Sequence, residues 1–138
     1  MVKTRRPAMM SGYEFHIRRQ AIGLDLRTFA AALDVTISVA SKLQTGRSPV
    51  NREVATYLQE VEDAVENRII AENAFLDTMK LGDLKRLVLV TTPPDDWPHG
   101  PGTWVIVTTR LRHMIHAASG VSPPLEERPG PSADVSTE

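Results

Sequence analysis

Apolar residues recur at helical spacing through the first half of the chain. One predicted buried face consists of four residues three or four positions apart, Leu26, Phe29, Ala30 and Leu33. The pattern is interrupted at residues 34–36 and resumes in a second short helix, predicted from about Ile37 to Thr45. Two short helices on either side of a tight turn are typical of a helix-turn-helix.

Residues suited to helix boundaries stand at the ends of these predicted helices. Thr36 is a good N-cap because its hydroxyl can accept a free N–H of the next turn. Gly46 suits a left-handed position after the second helix, and Pro49 prevents its continuation. Ser11 and Glu14 have the spacing of a capping box, so an earlier helix is predicted to begin there and to end near residue 22.

A long helix is predicted from Val50 onwards. Its apolar stripe consists of Val54, Leu58, Val61, Val65 and Ile69, and resumes at Leu76 and Met79. Beyond about Val61 this stripe is longer than a small helical bundle can cover, and an uncovered stripe needs a partner. Two interpretations stay open, packing against the same chain or dimerisation. For the dimer, the predicted contact residues are Val61, Val65, Ile69, Leu76, Met79, Val88 and Val90.

The C-terminal half has a more ambiguous pattern. Leu84 to Thr92 is a β-branched run that predicts a strand ending before Pro93-Pro94. Residues 103–118 predict a helix capped by Thr103, although their β-branched content leaves a hairpin with Leu87–Thr92 as the alternative. From Ser119 the chain is proline-rich and acidic, so residues 119–138 are predicted to be mostly disordered, with a short docked segment near residues 121–125.

Composition excludes several classes of protein. The chain of 138 residues has no cysteine, which excludes disulfides, thiolate zinc sites and a cysteine nucleophile. No apolar stretch approaches the roughly 18–20 residues that span a membrane, and no signal peptide is indicated, so a cytoplasmic protein is expected. His113 and His116 form the closest histidine pair, but no carboxylate stands at a suitable offset. We therefore predict no enzymatic activity, no metal and no cofactor.

The formal net charge of −1 hides an uneven distribution. Residues 1–52 carry nine Lys and Arg against Glu14, Asp25 and Asp34, a net charge of +6, whereas residues 53–80 carry −5 and residues 81–138 carry −2. A phosphate backbone responds to the local field, so the basic third is the candidate DNA-binding face. Residues 1–10 are predicted to be a flexible basic arm. One interpretation is a disordered start, or an upstream start codon with Met9 or Met10 as the true beginning. The other is an arm that contacts the minor groove or phosphates of DNA through Lys3, Arg5 and Arg6.

The stretch from Tyr13 to Leu58 resembles the lambda-repressor-like, or xenobiotic-response-element, family of helix-turn-helix proteins. The matching positions are Arg19, Gly23-Leu24, Phe29-Ala30, Leu33, Val35-Thr36, Ser41, Leu43, Gly46-Arg47 and Pro49. Four positions depart from the family's usual residues, Leu26 for Gln, Asp34 for Gly, Ala40 for Ile or Val, and Gln44 for Glu. Leu26 removes a common phosphate contact.

The resemblance implies that the start of the second motif helix lies in the major groove of DNA. By position, the residues that would face bases are Thr36, Ile37, Ser38, Ser41 and Lys42. Three arginines would hold phosphates, Arg27, Arg47 and Arg52. The partner implied is double-stranded DNA, bound by a homodimer, because such proteins usually recognise paired half-sites one turn of DNA apart.

The predicted fold is mainly α, a lambda-repressor-like bundle followed by a long helix and a small strand–helix appendage. The predicted domains are a basic arm (1–10), a DNA-binding domain (11–60), a dimerisation region (61–118) and a tail (119–138). The appendage resembles the C-terminal part of repressors associated with anti-CRISPR operons. The predicted function is a dimeric transcriptional repressor. The alternative is a protein-interaction module that binds a toxin, a sigma factor or another regulator through the acidic helix or tail.

Overall fold

The computed structural model describes residues 9–128. Within this range the chain is mainly α, as predicted, with six helices and one two-stranded sheet. The chain divides between Asp63 and Ala64 into two compact units, and the division falls inside the longest helix. The predicted arm falls almost entirely outside the described residues, and so does the predicted tail beyond Arg128.

The first unit contains the helix-turn-helix. Its helices are α1 (Gly12–Ala21), α2 (Leu26–Ala32), α3 (Ile37–Gln44) and the beginning of α4 (Arg52–Leu76). α3 packs against both α1 and α2. Phe15 and Phe29 meet edge to face with ring centroids 5.1 Å apart, and Tyr57 of α4 approaches Phe29 at 5.8 Å. These rings form the centre of the predicted core, which also buries Leu58.

The apolar stripe of α4 is buried along its whole length, as far as Leu76. Val61, Val65, Ile69 and Leu76 are almost fully covered within a single chain, so the interpretation in which the stripe packs against its own chain is correct. The assignment of these four residues to a dimer contact is therefore wrong, because a side chain already covered has little surface left for a second copy.

The second unit begins in α4 and continues with α5 (Leu81–Lys85), strand β1 (Leu89–Val90), α6 (Pro101–Ser119) and strand β2 (Leu125–Glu126). The prediction of one strand over residues 84–92 is wrong in its length. Leu84 and Lys85 complete α5, and only two residues of the run belong to β1. The ladder is short because its partner β2 is also only two residues long.

The helix predicted for residues 103–118 is confirmed, and the alternative hairpin is wrong. α6 begins at Pro101 and ends at Ser119, and it is capped by Gly120, which has a left-handed φ of 78°. Its buried side includes Trp104, Val107 and Leu111. Thr103 is inside the helix rather than at its cap. Proline at the start and glycine after the end are the boundary signals that outweigh the β-branched composition.

β2 pairs with β1 in parallel, with Leu89 opposite Leu125 and Val90 opposite Glu126. The prediction of a docked segment near residues 121–125 is thus confirmed, and the prediction that the tail is disordered from Ser119 is wrong for residues 119–128. Pro123 is fully buried, and the carbonyl of this residue accepts a hydrogen bond from Arg112. These contacts fix the segment despite its composition.

Two tryptophans and one arginine organise the second unit. The guanidinium of Arg68 lies 4.9 Å from the ring centre of Trp104 and 5.9 Å from that of Trp97, and it forms ion pairs with Glu72 and Asp96. Each indole N–H has an acceptor. Trp97 donates to the hydroxyl of Thr103 at 2.8 Å, and Trp104 donates to the Val90 carbonyl at 2.9 Å.

Candidate nucleic-acid interface

The turn between α2 and α3 is fixed by one left-handed residue, a backbone hydrogen bond and a helix cap. Asp34 adopts φ 56°, the left-handed region that favours glycine, and aspartate tolerates it better than most residues. The Val35 N–H donates to the Ala30 carbonyl and closes the end of α2. Thr36 then caps α3, since its hydroxyl accepts the Val39 N–H at 3.1 Å. The predicted turn, cap and second helix are confirmed together.

α3 has one buried side and one solvent side. Ala40 and Leu43 are buried and hold the helix on the bundle. Four of the predicted base-facing residues occupy the other side, where Ile37, Ser38 and Lys42 are exposed and Ser41 is half-buried. Residues four positions apart on a helix are neighbours, so these side chains form one continuous outward surface. Thr36 lies at its N-terminal edge, with its oxygen used in capping.

Four cations surround this motif with their charges available. Arg27, Lys42, Arg47 and Arg52 are exposed, and none of them belongs to an ion pair within residues 9–128. Arg27 belongs to α2, Arg47 follows α3, and Arg52 opens α4. The Asp25 carboxylate accepts the Thr28 N–H at the start of α2, so an acidic group occupies that helix end.

Arg18 and Arg19 are basic in sequence but not available to phosphates. Arg18 donates through Nε to Glu62 at 2.9 Å and also pairs with Glu14, and it reaches Gln59. The hydrogen bond to Glu62 is the main reason that its pKa is raised. The guanidinium of Arg18 thereby joins α1 to α4 through an ion-pair cluster.

Arg19 is one of the few charged residues inside the bundle, with 7% of its surface exposed. It donates to the Leu24 carbonyl at 2.8 Å and to the Gln44 side-chain oxygen at 3.0 Å. Its Nε has no acceptor, and burial lowers its pKa. Gln44 also contacts His16 at 3.0 Å. The neutral amide at position 44 therefore leaves a buried cation without a carboxylate partner.

Close backbone packing fixes the angle of α3 against α1. A Cβ placed on Gly12 would lie 2.5 Å from the Leu43 carbonyl oxygen and 2.8 Å from the Gly46 nitrogen. Only glycine allows the first turn of α1 to approach the end of α3 this closely. Gly46 itself has φ 80°, as its position after the helix predicted.

Three exposed apolar residues near the motif were missed by the sequence reasoning. Val39 lies on the solvent side of α3 at 42% exposure, and Tyr13 and Ile17 form an exposed pair one turn apart on α1, with Tyr13 at 74%. For two of these residues the sequence holds a partial signal of exposure. Tyr13 and Ile17 stand outside the spacing of Phe15 and Ile22, which define the buried side of α1.

The structure brings the predicted DNA-facing residues of α3 together on one side of the helix. Within residues 9–128 no group of three or more potential metal ligands is present. His116 has its Nδ1 2.9 Å from the Ser122 hydroxyl, and His113 is exposed. Among the described helices, none has the length and apolar character to cross a membrane. No family model matches the chain, and no curated protein shows detectable similarity to it.

Proposed function

We propose that this chain is a sequence-specific DNA-binding transcriptional regulator that acts as a dimeric repressor by occluding a promoter. The observation that carries the proposal is the solvent side of α3, where Ile37, Ser38 and Ser41 share the helix with Lys42, which has no ion pair within residues 9–128. An exposed helix of this kind, held by a fixed turn, suits the width of the major groove.

The side chains on that surface have suitable chemistry for base edges and phosphates. Ile37 can contact a thymine methyl group, and the serine hydroxyls can donate to or accept from bases. Lys42 fits a guanine or a phosphate, whereas Arg27, Arg47 and Arg52 fit phosphates and fix the register of the helix on DNA. With no Asn or Gln at the front of α3, we expect modest discrimination per half-site, with half-site spacing and DNA shape contributing the rest.

The first test is fluorescence anisotropy with DNA from upstream of the protein's own gene, over a salt series. Four cations on each chain predict a slope of log affinity against log salt of about −3.6 per chain, hence about −7 for a dimer. Binding that stays at least about a hundredfold tighter than to competitor DNA supports a sequence-specific regulator. Weak binding that ignores sequence contradicts it.

A charge-reversal pair sharpens this test. Lys42→Glu with Arg47→Glu should abolish specific binding, because two phosphate or base contacts per chain become repulsive. The matched control is Lys80→Glu with Lys85→Glu, which makes the same change in net charge at exposed positions of the second unit. Equal loss of binding in both variants would mean that only net charge matters, and would contradict a docked α3.

The second candidate function is a protein-interaction module that retains the helix-turn-helix as a scaffold. The exposed Tyr13 and Ile17 favour it, since an aromatic and an aliphatic side chain one turn apart suit a protein surface. Leu26 also favours it, because an apolar residue replaces a phosphate contact at the start of α2. In this case the Lys42 and Arg47 variant would keep its partner, and Tyr13→Ala with Ile17→Ala would lose it.

A further inference from the structure

An apolar pocket of about 480 Å³ opens on the second unit. Its walls come from the end of α4, from β1 and from α6, and include Leu76, Val90, Trp104 and Leu111. Its volume is within the range of pockets that bind a ligand or a partner side chain.

An exposed aromatic side chain stands at the rim of this pocket. Phe75 is 61% exposed although it belongs to α4, whose other side is buried, and Met79 and Val88 line the pocket beside it as half-buried residues. Burial of a phenylalanine removes roughly 150–250 Å² of mostly apolar surface from water, so an exposed one favours a partner. The same surface thus presents a protruding ring and an apolar cavity.

A protruding group next to a cavity is what a two-fold symmetric contact requires. In such a dimer each residue of one copy meets a different residue of the other, and the same pair recurs across the axis. The charges at the rim agree with this arrangement. Arg128 and Glu72 both line the pocket, so under two-fold symmetry a cation of one copy can meet a carboxylate of the other. Within residues 9–128, Arg128 has one long ion pair, with its Nε 4.0 Å from a Glu126 carboxylate oxygen.

We propose that a second copy of this chain covers the pocket, with Phe75 of each copy inserted into the cavity of the other. This inference says which surface forms the dimer of the proposed function. It rests on the proposed function only in one respect, that two α3 helices must be joined. It also moves the predicted dimer contact. Met79, Val88 and Val90 keep a role as pocket lining, and Phe75 replaces the buried Val61, Val65, Ile69 and Leu76.

The test measures the oligomeric state of the full chain without DNA, by sedimentation velocity and light scattering. The wild type should be a dimer at micromolar concentration. Phe75→Ser should raise the dimer dissociation constant by more than about tenfold, since an aromatic anchor in a pocket is the kind of residue that dominates an interface. Ile70→Ser is the matched control, because Ile70 is on the same helix, is 58% exposed and does not line the pocket.

Cross-linking tests the geometry directly. The chain has no cysteine, so introduced thiols are the only ones present. When Phe75→Cys and Val88→Cys chains of different mass are mixed and oxidised, the mixed disulfide should form in preference to either homodimer. The control mixture, Ile70→Cys with Val88→Cys, should give no such preference.

Two outcomes would overturn the inference, a monomeric wild type and a dimer that Phe75→Ser leaves intact. If the wild type is monomeric and its pocket binds a small apolar dye equally well with and without Phe75→Ser, the pocket instead favours a small-molecule ligand. DNA binding is measured separately, so a dimer that ignores DNA refutes the proposed function alone. A DNA-binding monomer refutes this inference and the dimeric part of the proposed function, and leaves the proposal of sequence-specific DNA binding standing.

Discussion

The hydrogen bonds within the first unit differ in kind from those within the second unit. In the first unit a side-chain oxygen begins each helix, because Ser11, Asp25, Thr36 and Asn51 each accept an N–H three residues later. In the second unit neither α5 nor α6 begins with such a bond. There the indole of Trp104 bonds to the Val90 carbonyl of β1. The first unit adds long-range contacts of this kind to its caps, through Arg18 with Glu62 and Arg19 with Gln44.

This difference indicates where stability comes from in each unit. A cap is a local contact worth about 1 kcal/mol, and it specifies where a helix begins without help from the rest of the chain. The cation–π contact of Arg68 with Trp104 and the hydrogen bond from Trp104 to the Val90 carbonyl exist only after α4, β1 and α6 have come together. We therefore expect a single substitution in the second unit to disturb several elements at once. A single substitution in the first unit should mainly disturb the packing of one helix.

The largest expected effect is that of Trp104→Ala. The substitution removes a buried ring, the hydrogen bond to Val90 and the cation–π contact of Arg68. It should lower the free energy of unfolding by about 3–5 kcal/mol, measured by urea denaturation. The remaining Trp97 is in the same unit, so its fluorescence reports the transition. Trp104→Phe should lower the free energy of unfolding much less. A decrease under about 1 kcal/mol for Trp104→Ala would contradict the central role of this residue.

A pair of glycine substitutions compares the units directly. Gly12→Ala should destabilise the protein by about 1–3 kcal/mol, because the new Cβ meets two backbone atoms at the end of α3. Gly82→Ala is the matched control, since a Cβ there meets nothing within 4 Å and α5 gains helix propensity. Gly82→Ala should raise the free energy of unfolding by about 0.5–1 kcal/mol. Thermal unfolding measures both, and equal effects of the same sign would contradict the close approach at Gly12.

The smallest expected effect, and the most specific, is that of Gln44→Glu. A carboxylate would give the buried Arg19 the charged partner that it lacks, so stability at neutral pH should rise by about 1 kcal/mol. Beside Arg19, the pKa of the new carboxyl should lie below that of the unfolded chain. The gain is then present above the unfolded pKa and is lost as pH falls through the folded pKa.

Denaturation at several pH values measures this gain. Gln44→Leu is the control with the opposite expected effect, because it removes an acceptor from Arg19. It should lower the free energy of unfolding by about 1–3 kcal/mol. A Gln44→Glu variant with unchanged stability at neutral pH and no pH dependence would show that Arg19 is already well satisfied.

The first unit could be predicted in detail because its signals are local. Each signal acts within a few residues. Thr36 specifies a cap, Gly46 specifies a helix end, and the spacing of Phe29 and Ala30 specifies a buried face. Two features were not predictable in this way. The burial of Arg19 and the pairing of Arg18 with Glu62 depend on which helices meet, and sequence spacing does not report that.

The second unit was predicted less well for a related reason. The propensities of residues 84–92 favour a strand, but a strand is limited to the length of its partner, and β2 lies 34 residues further along the chain. The stripe of α4 was visible in sequence, whereas its covering was not. Phe75 was missed because it lies off that stripe, and the pocket at its base exists only in three dimensions.

The parallel pairing of β1 with β2 has a consequence for the order of folding. Closing a loop of residues 91–124 before any other contact forms would cost chain entropy that a two-residue ladder cannot offset. Helix α6 shortens that loop and brings its ends together, so we expect the ladder to follow the helix rather than to nucleate it. The amide protons of Leu89 and Thr91, which bond to the Pro124 and Glu126 carbonyls, should therefore be among the last in the unit to gain protection from exchange.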